Sequence, residues 1–312
     1  MEVTVLLAVP RAFCAGVERA IDMVEQALRR YGPPVYVRRR IVHNAHVTAA
    51  LEARGAIFVD EVGQAPDGAV VVFTAHGVAP AVRAEAARRG HHVIDATCPL
   101  VARSHTEVRR YAARGDTVLL IGHAGHDEVQ GVLGQIPGGI QLVQDIASVD
   151  EVLVEDPRRV SYLTQTTLAA DETGEIIDEL RSRFPHLSGP DAGEVCSATT
   201  EREEAVAAIA GACDLVLVGG SAGSSDSSRL AEVARRHGTP AHLIEDVRDI
   251  RPEWLDGVRT VGLTAGVTAS PHLVDEVVAA LASARISGSA LTPVPRPPAA
   301  GGTPADSSRV HA

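Results

Sequence analysis

Residues 13–28 read FCAGVERAIDMVEQAL, residues 97–115 TCPLVARSHTEVRRYAARG and residues 195–211 VCSATTEREEAVAAIAG. In each, a cysteine (Cys14, Cys98 or Cys196) stands just ahead of a run with helical patterning. The first two also follow an aliphatic run directly, VTVLLAV (3–9) and HHVIDA (91–96). Spacings of 84 and 98 residues between the cysteines are each about one small α/β unit. Outward from these segments the same alternation continues. AVVVFTA (69–75), TVLLIG (117–122), RRVSYLTQ (158–165), CDLVLVGG (213–220) and TVGLTAG (260–266) each precede a helical pattern. Their Val, Leu and Ile are nearly continuous, as in parallel strands buried on both faces. The pattern predicts an α/β fold of three pseudo-equivalent units with mostly parallel sheets. They span residues 15–97, 98–195, and 196–285 together with the N-terminal strand 1–14. Residues 286–312 are rich in Pro, Gly and Ser and are expected to be a disordered tail.

Composition narrows the function classes. The 312 residues carry a net charge of −11, which argues against a nucleic-acid or anionic-membrane surface. Aromatic residues make up 3%, too few for base-stacking platforms. No apolar run reaches the roughly 18 residues of a membrane span. The N-terminal apolar stretch lacks a preceding basic region and reads as a strand, so the expected compartment is the cytoplasm.

Four widely separated cysteines without a CxxC pair suggest reduced thiols and neither a disulfide framework nor a zinc ribbon. Cys213 enters a buried strand and reads as a core residue. Any one of the other three is most simply a buried thiol, but their repeated context favours a three-thiolate metal site, most naturally an iron–sulfur cluster. The positive end of a helix favours thiolate at such positions. Three protein ligands leave one iron open to act as a Lewis acid toward a substrate oxygen.

Polar groups collect in the loops after the strands. VHNAHV (42–47), FTAHGV (73–78) and IGHAGHDEVQG (121–131) supply His43, His76, His126 and Glu128. Lysine is absent from the chain, so imidazoles are natural donors to an anionic ligand. His46, His91, His92, His105 and His123 read as structural. GGSAGSSDSSRL (219–230) joins a strand to a helix through glycines and hydroxyls, a ready cradle for a diphosphate or simply a serine-capped helix start. LTQTTL (163–168) and LTAGVTASP (263–271) place further hydroxyls at strand ends. Glu128 fits either a proton donor with a raised pKa or an acid complementing a helix dipole.

Taken in order, FCAGVERAI, VHN, FTAHGV, DATCPLV, GHAGHDEVQGVLGQ, TQTTL, VCSATTEREEA, GSAGSSDSSRL and VGLTAGVTASP resemble the motifs of the 4-hydroxy-3-methylbut-2-enyl diphosphate reductases, over residues 1–285. The resemblance implies a trefoil of three α/β units around a central 4Fe-4S cluster, with ferredoxin or flavodoxin as electron donor. The implied reaction is a two-electron, two-proton removal of the substrate hydroxyl, which gives isopentenyl and dimethylallyl diphosphates and completes the methylerythritol phosphate route to isoprenoids. Matched position by position, Cys14, Cys98 and Cys196 are the cluster ligands. His43, His76, His126, Ser224 and Ser225 hold the diphosphate, as do Asp226 and Thr268 by position. Glu128 relays protons and Thr166 orders the substrate alcohol. Four positions depart from the pattern. Asp226 replaces an amide, Asp127 a proline, Val132 a threonine and Thr268 a serine. An ionised Asp226 would repel a diphosphate. The alternatives are a divergent paralogue that binds or reduces a related allylic diphosphate, a non-catalytic iron–sulfur sensor, and a mononuclear-metal phosphoester hydrolase built on the histidine loops.

Overall fold

The computed structural model describes residues 3–42, 44–168, 170–190, 196–283 and 291–293. Strand β1 (Thr4–Leu7) leads into helix α1 (Ala15–Tyr31). There follow β2 (Val35–Arg38), α2 (Ala45–Ala53), β3 (Ala56–Val59), β4 (Val70–Phe73), α3 (Pro80–Arg88) and β5 (His92–Asp95). Their four strands form one sheet in the order β3-β2-β4-β5. Next come α4 (Pro99–Ala113), β6 (Thr117–Ile121), α5 (Asp127–Leu133), β7 (Ile140–Val143), α6 (Ile146–Val149), β8 (Val160–Thr164) and α7 (Ala170–Arg183), with a three-stranded sheet β7-β6-β8. The last stretch holds α8 (Ala198–Ala210), β9 (Leu215–Gly219), α9 (Ser225–Arg236), β10 (Ala241–Ile244), β11 (Thr260–Ala265), α10 (Pro271–Ser283) and β12 (Leu291–Pro293). Its sheet runs β10-β9-β11-β1-β12, so the first strand of the chain pairs with one of the last. Every strand pairing is parallel.

Two apolar clusters serve each sheet, one per face. In β9, Leu215 and Leu217 enter one cluster with Leu263 and Val277, while Val216 and Val218 enter another with Ile209 and Leu230. In β6, Leu119 and Ile121 pack toward Leu180, while Val118 and Leu120 pack toward Val108 and Val132. This accounts for strands that read as unbroken aliphatic runs, since both sets of alternating side chains leave water. It also accounts for Val132, which packs in the second of these clusters at 1% exposure, where a methyl group replaces a hydroxyl without leaving a polar group to satisfy.

Two sequence expectations need adjustment. VYVR, AIFV, IQLV and AHLI form β2, β3, β7 and β10, although none carries the long aliphatic signature used to recognise strands. Within the tail expected to be disordered, Leu291–Pro293 adds β12 to the edge of β1. The remainder of the tail lies outside the described residues.

Candidate functional site

Most of the polar segments singled out in the sequence follow the C-terminal end of a parallel strand, where α/β folds open their binding crevices. β1 precedes Cys14, β4 precedes His76, β5 precedes Cys98 and β6 precedes His126 and Glu128. β8 precedes Thr166, β9 precedes Ser224, and β11 precedes Thr268. Cys14 and Cys98 occupy the positions immediately before α1 and α4; Cys196 lies two residues before α8. Pro99 at the first position of α4 presets the backbone angle of that helix start. Main-chain bonds fasten the loops: Cys98 N–H donates to the Ala75 carbonyl at 2.9 Å, and Cys14 N–H to Val267 at 3.4 Å.

The three cysteines line one cavity together with His76, Glu128, Thr166 and Thr268. Gly16 marks how closely the first two approach. A Cβ there would lie 2.9 Å from Cys98 Sγ and 3.8 Å from Cys14 Sγ. Burial pushes the Cys196 thiol up to about 11, with Cys14, Cys98 and Glu128 adding to the rise against an opposing Ala198 N–H. The sequence reading expected helix N-termini to favour thiolate. At Cys196 desolvation wins, so a bound cation is what would draw out the proton. Among the described residues, no group of three or more His, Cys, Asp or Glu side chains is arranged to hold a single metal ion. Cys213 stands apart, its thiol donating to the Ile209 carbonyl at 3.2 Å.

Glu128 is the most deeply placed acid of the cavity, at 1% exposure. Thr166 holds both of its oxygens: the backbone N–H donates to Oε1 at 2.8 Å and the hydroxyl to Oε2 at 2.7 Å. Desolvation outweighs these bonds and pushes the carboxyl up to about 7. His126 caps α5, its Nδ1 accepting the Glu128 N–H at 3.3 Å, and its ring meets that of His76 edge-on with centroids 5.4 Å apart. His43 lies outside the described residues.

Ser224 caps α9, accepting the Ser227 N–H at 3.4 Å, and receives the Thr268 hydroxyl at 3.4 Å. Ser225 and Asp226 are the first two residues of that helix. Asp226 is 3% exposed, and its Oδ2 accepts the Val267 N–H at 2.7 Å. Burial holds its carboxyl above the ordinary range.

Several contacts escaped the sequence reading. Arg202 on α8, 4% exposed, donates to the carbonyls of Ala12, Phe13 and Ala198 and so secures the loop ahead of Cys14. Ala12 has a φ of 61°, unusual for a residue with a side chain, and this grip on its carbonyl holds it there. Asn44 caps α2 through Val47 N–H at 3.0 Å and donates to the Thr268 carbonyl at 3.1 Å. Asp127 pairs with Arg39, which also reaches Glu61. Asn44 alone had a local signal, a capping residue just before a helix. His91 and His105 are buried, His91 against the Val62 carbonyl at 3.2 Å and His105 against the Gln135 amide at 3.3 Å, and burial lowers the His105 imidazole to about 4.

The chain matches the family model described as LytB protein over residues 5–282. It is 56% identical over 284 residues to 4-hydroxy-3-methylbut-2-enyl diphosphate reductase 1 of Mycobacterium tuberculosis, covering 90% of this chain and 86% of that protein. To the reductase of Ectopseudomonas mendocina it is 52% identical over 276 residues, covering 87% and 88%. The solved structure of the E-1-hydroxy-2-methyl-but-2-enyl-4-diphosphate reductase from Plasmodium falciparum superposes with a TM-score of 0.87 at 34% identity, over 93% of this chain and 91% of the other. A second solved structure, of (E)-4-hydroxy-3-methyl-but-2-enyl diphosphate reductase, gives a TM-score of 0.70 at 28% identity, covering 90% and 99%. With its cysteines, strand-end loops and α/β trefoil all inside the matched span, the chain belongs to the LytB family.

Proposed function

We infer that the protein is an iron–sulfur reductase acting on 4-hydroxy-3-methylbut-2-enyl diphosphate. The substrate takes up two electrons and two protons, its C–O bond breaks, and water leaves with isopentenyl or dimethylallyl diphosphate as product. The observation that carries this reading is the convergence of Cys14, Cys98, Cys196, Glu128, Thr166 and Thr268 on one cavity. Three thiols that line a common space without closing on a single ion suit a larger group, and Cys14, Cys98 and Cys196 would hold a 4Fe-4S cluster through their thiolates. When bound, the cluster supplies electrons and one iron without a protein ligand.

The chain's own groups perform the rest. Glu128, with its carboxyl near 7, takes up a proton and delivers it through the Thr166 hydroxyl, which donates to the ionised Oε2 at 2.7 Å, can accept from the acid form and orders the substrate hydroxyl. For the diphosphate, the first turn of α9 offers its N–H groups and the Ser224 and Ser225 hydroxyls. His43, His76, His126, Asp226 and Thr268 complete the set of groups that hold it. We place the unit boundaries at 15–97, 98–195 and 196–285 with 1–14. Ferredoxin or flavodoxin serves as electron donor and the cytoplasm as compartment. No helix among the described residues is long and apolar enough to cross a membrane.

Anaerobic reconstitution with iron and sulfide, followed by metal analysis and dithionite-coupled turnover, tests the reading. The expected result is a brown protein with about four irons per chain that turns over the hydroxylated diphosphate. Cys14→Ser, Cys98→Ser and Cys196→Ser should each lose iron while Cys213→Ser keeps it. A colourless protein that takes up no iron overturns the proposal.

A further inference from the structure

Asp226 is a carboxyl placed where the ligand is an anion, and its two oxygens have different surroundings. Oδ2 accepts the Val267 N–H at 2.7 Å, whereas Oδ1 is buried with no hydrogen-bond partner. A carboxylate with one bare oxygen in a site this closed carries a large desolvation cost. A carboxylic acid fits the same geometry well. Its carbonyl oxygen takes the Val267 hydrogen, and its hydroxyl is left with a hydrogen to give, which reproduces the acceptor and donor of the amide that the family resemblance implies here. Close packing fixes the orientation: a Cβ on Gly266 would fall 2.5 Å from Oδ2.

We propose that Asp226 is protonated in the complex and donates from Oδ1 to the anionic group bound at the start of α9, so that wherever the carboxyl of the free site is ionised, binding this anion takes up one proton. The proposal rests on the reading that places the diphosphate at Ser224, Ser225 and Thr268. It adds a proton linkage that the amide does not have. The site thereby binds more weakly as pH rises, because the deprotonated carboxylate loses the donated hydrogen and sets a negative charge against the ligand.

The surroundings offer little to hold that charge. From α8, Arg202 draws the carboxyl's pKa down, but its guanidinium is committed to the carbonyls of Ala12, Phe13 and Ala198. Across the same contact Arg229 of α9 faces Glu203 of α8 at 3.5 Å. The loop opposite, Gly266 to Thr268, carries no ionisable side chain. Burial therefore decides, and it raises the carboxyl above the usual range.

Calorimetric titration of the cluster-loaded protein with inorganic pyrophosphate, over about pH 5.5 to 8.5, gives the test for wild type, Asp226→Asn and Ser224→Ala. Pyrophosphate and the histidines titrate in every variant, so the quantity read is the ratio of wild-type Kd to Asp226→Asn Kd at each pH. The expected ratio is near one at the acid end and climbs by up to about tenfold per pH unit once the carboxyl ionises. In paired buffers of different ionisation heat, wild type should take up as much as about one more proton per ligand than Asp226→Asn over the pH range in which the ratio climbs, and no more than that variant at the acid end. A ratio that stays flat with pH, at any value, overturns the proposal. Ser224→Ala separates the two levels. If it binds pyrophosphate as tightly as wild type, the placement of the diphosphate fails; if it binds weakly while the ratio is flat, the placement stands and only the proton linkage fails.

Discussion

Glu128 shows what a single buried acid contributes and what it costs. With its carboxyl near 7, about half of it is in the acid form at neutral pH, within reach of proton delivery. Turnover should therefore fall as pH rises through about 7, and Glu128→Gln should lower kcat by about 10²–10⁴-fold and remove that limb of the pH profile. Stability falls over the same range. The folded carboxyl binds its proton more tightly than the unfolded one near 4.5, so its contribution is fully present at acid pH and is lost as pH rises through about 7. Above that point Glu128→Gln should be more stable by about 3 kcal/mol in denaturant titration, with no difference below pH 4. A variant that is both inactive and less stable at high pH would contradict the assignment. The acid was legible in the sequence because it sits in a histidine loop after a strand. The partner that holds both of its oxygens, Thr166, is 38 residues away and could be quoted as a motif but not joined to it.

Among the elements, helices that begin at cysteines were readable, and the short strands were not. Helix α1 declares itself through Ala20, Val24, Ala27 and Leu28 on one buried face, and it ends at Gly32 with a φ of 73°. β2 and β3 are four residues each, and their place in a sheet is fixed by pairing with each other and with β4 rather than by their own composition. The first turn of α1 yields a separable prediction. Gly16→Ala gains about 1 kcal/mol of helix propensity, yet its new Cβ demands that Cys98 Sγ move from 2.9 Å. The variant should keep its far-ultraviolet circular dichroism while its iron content after reconstitution falls well below wild type. Normal iron in a folded Gly16→Ala protein would mean that the Cys98 thiol, as placed here, is not a ligand.

Across the whole molecule, each sheet keeps its own apolar clusters, and none of the clusters described joins two sheets. Polar contacts do cross between the sheets' neighbourhoods: Arg39 with Asp127, and Asn44 with the Thr268 carbonyl. The three-part architecture was readable because two of the three cores are local in sequence and the third draws only the N-terminal strand from far away. These sutures were not, because residue types such as Arg and Asn are ordinary on any surface and their partners lie 88 and 224 residues away. Units joined by polar contacts move more easily than units sharing a core, so the sutures position the site more than they stabilise the fold. Asn44→Ala tests this division. Loss of the α2 cap costs about 1 kcal/mol and should lower Tm by a few degrees. Loss of the bond to Thr268 frees the loop that faces Ser224, which should raise KM for the diphosphate while leaving kcat close to wild type. Asn44→Asp separates the two effects, since a carboxylate still caps α2 but has no hydrogen for the Thr268 carbonyl. It should recover the lost Tm and keep the raised KM. Recovery of both would show that the suture acts only through the stability of α2.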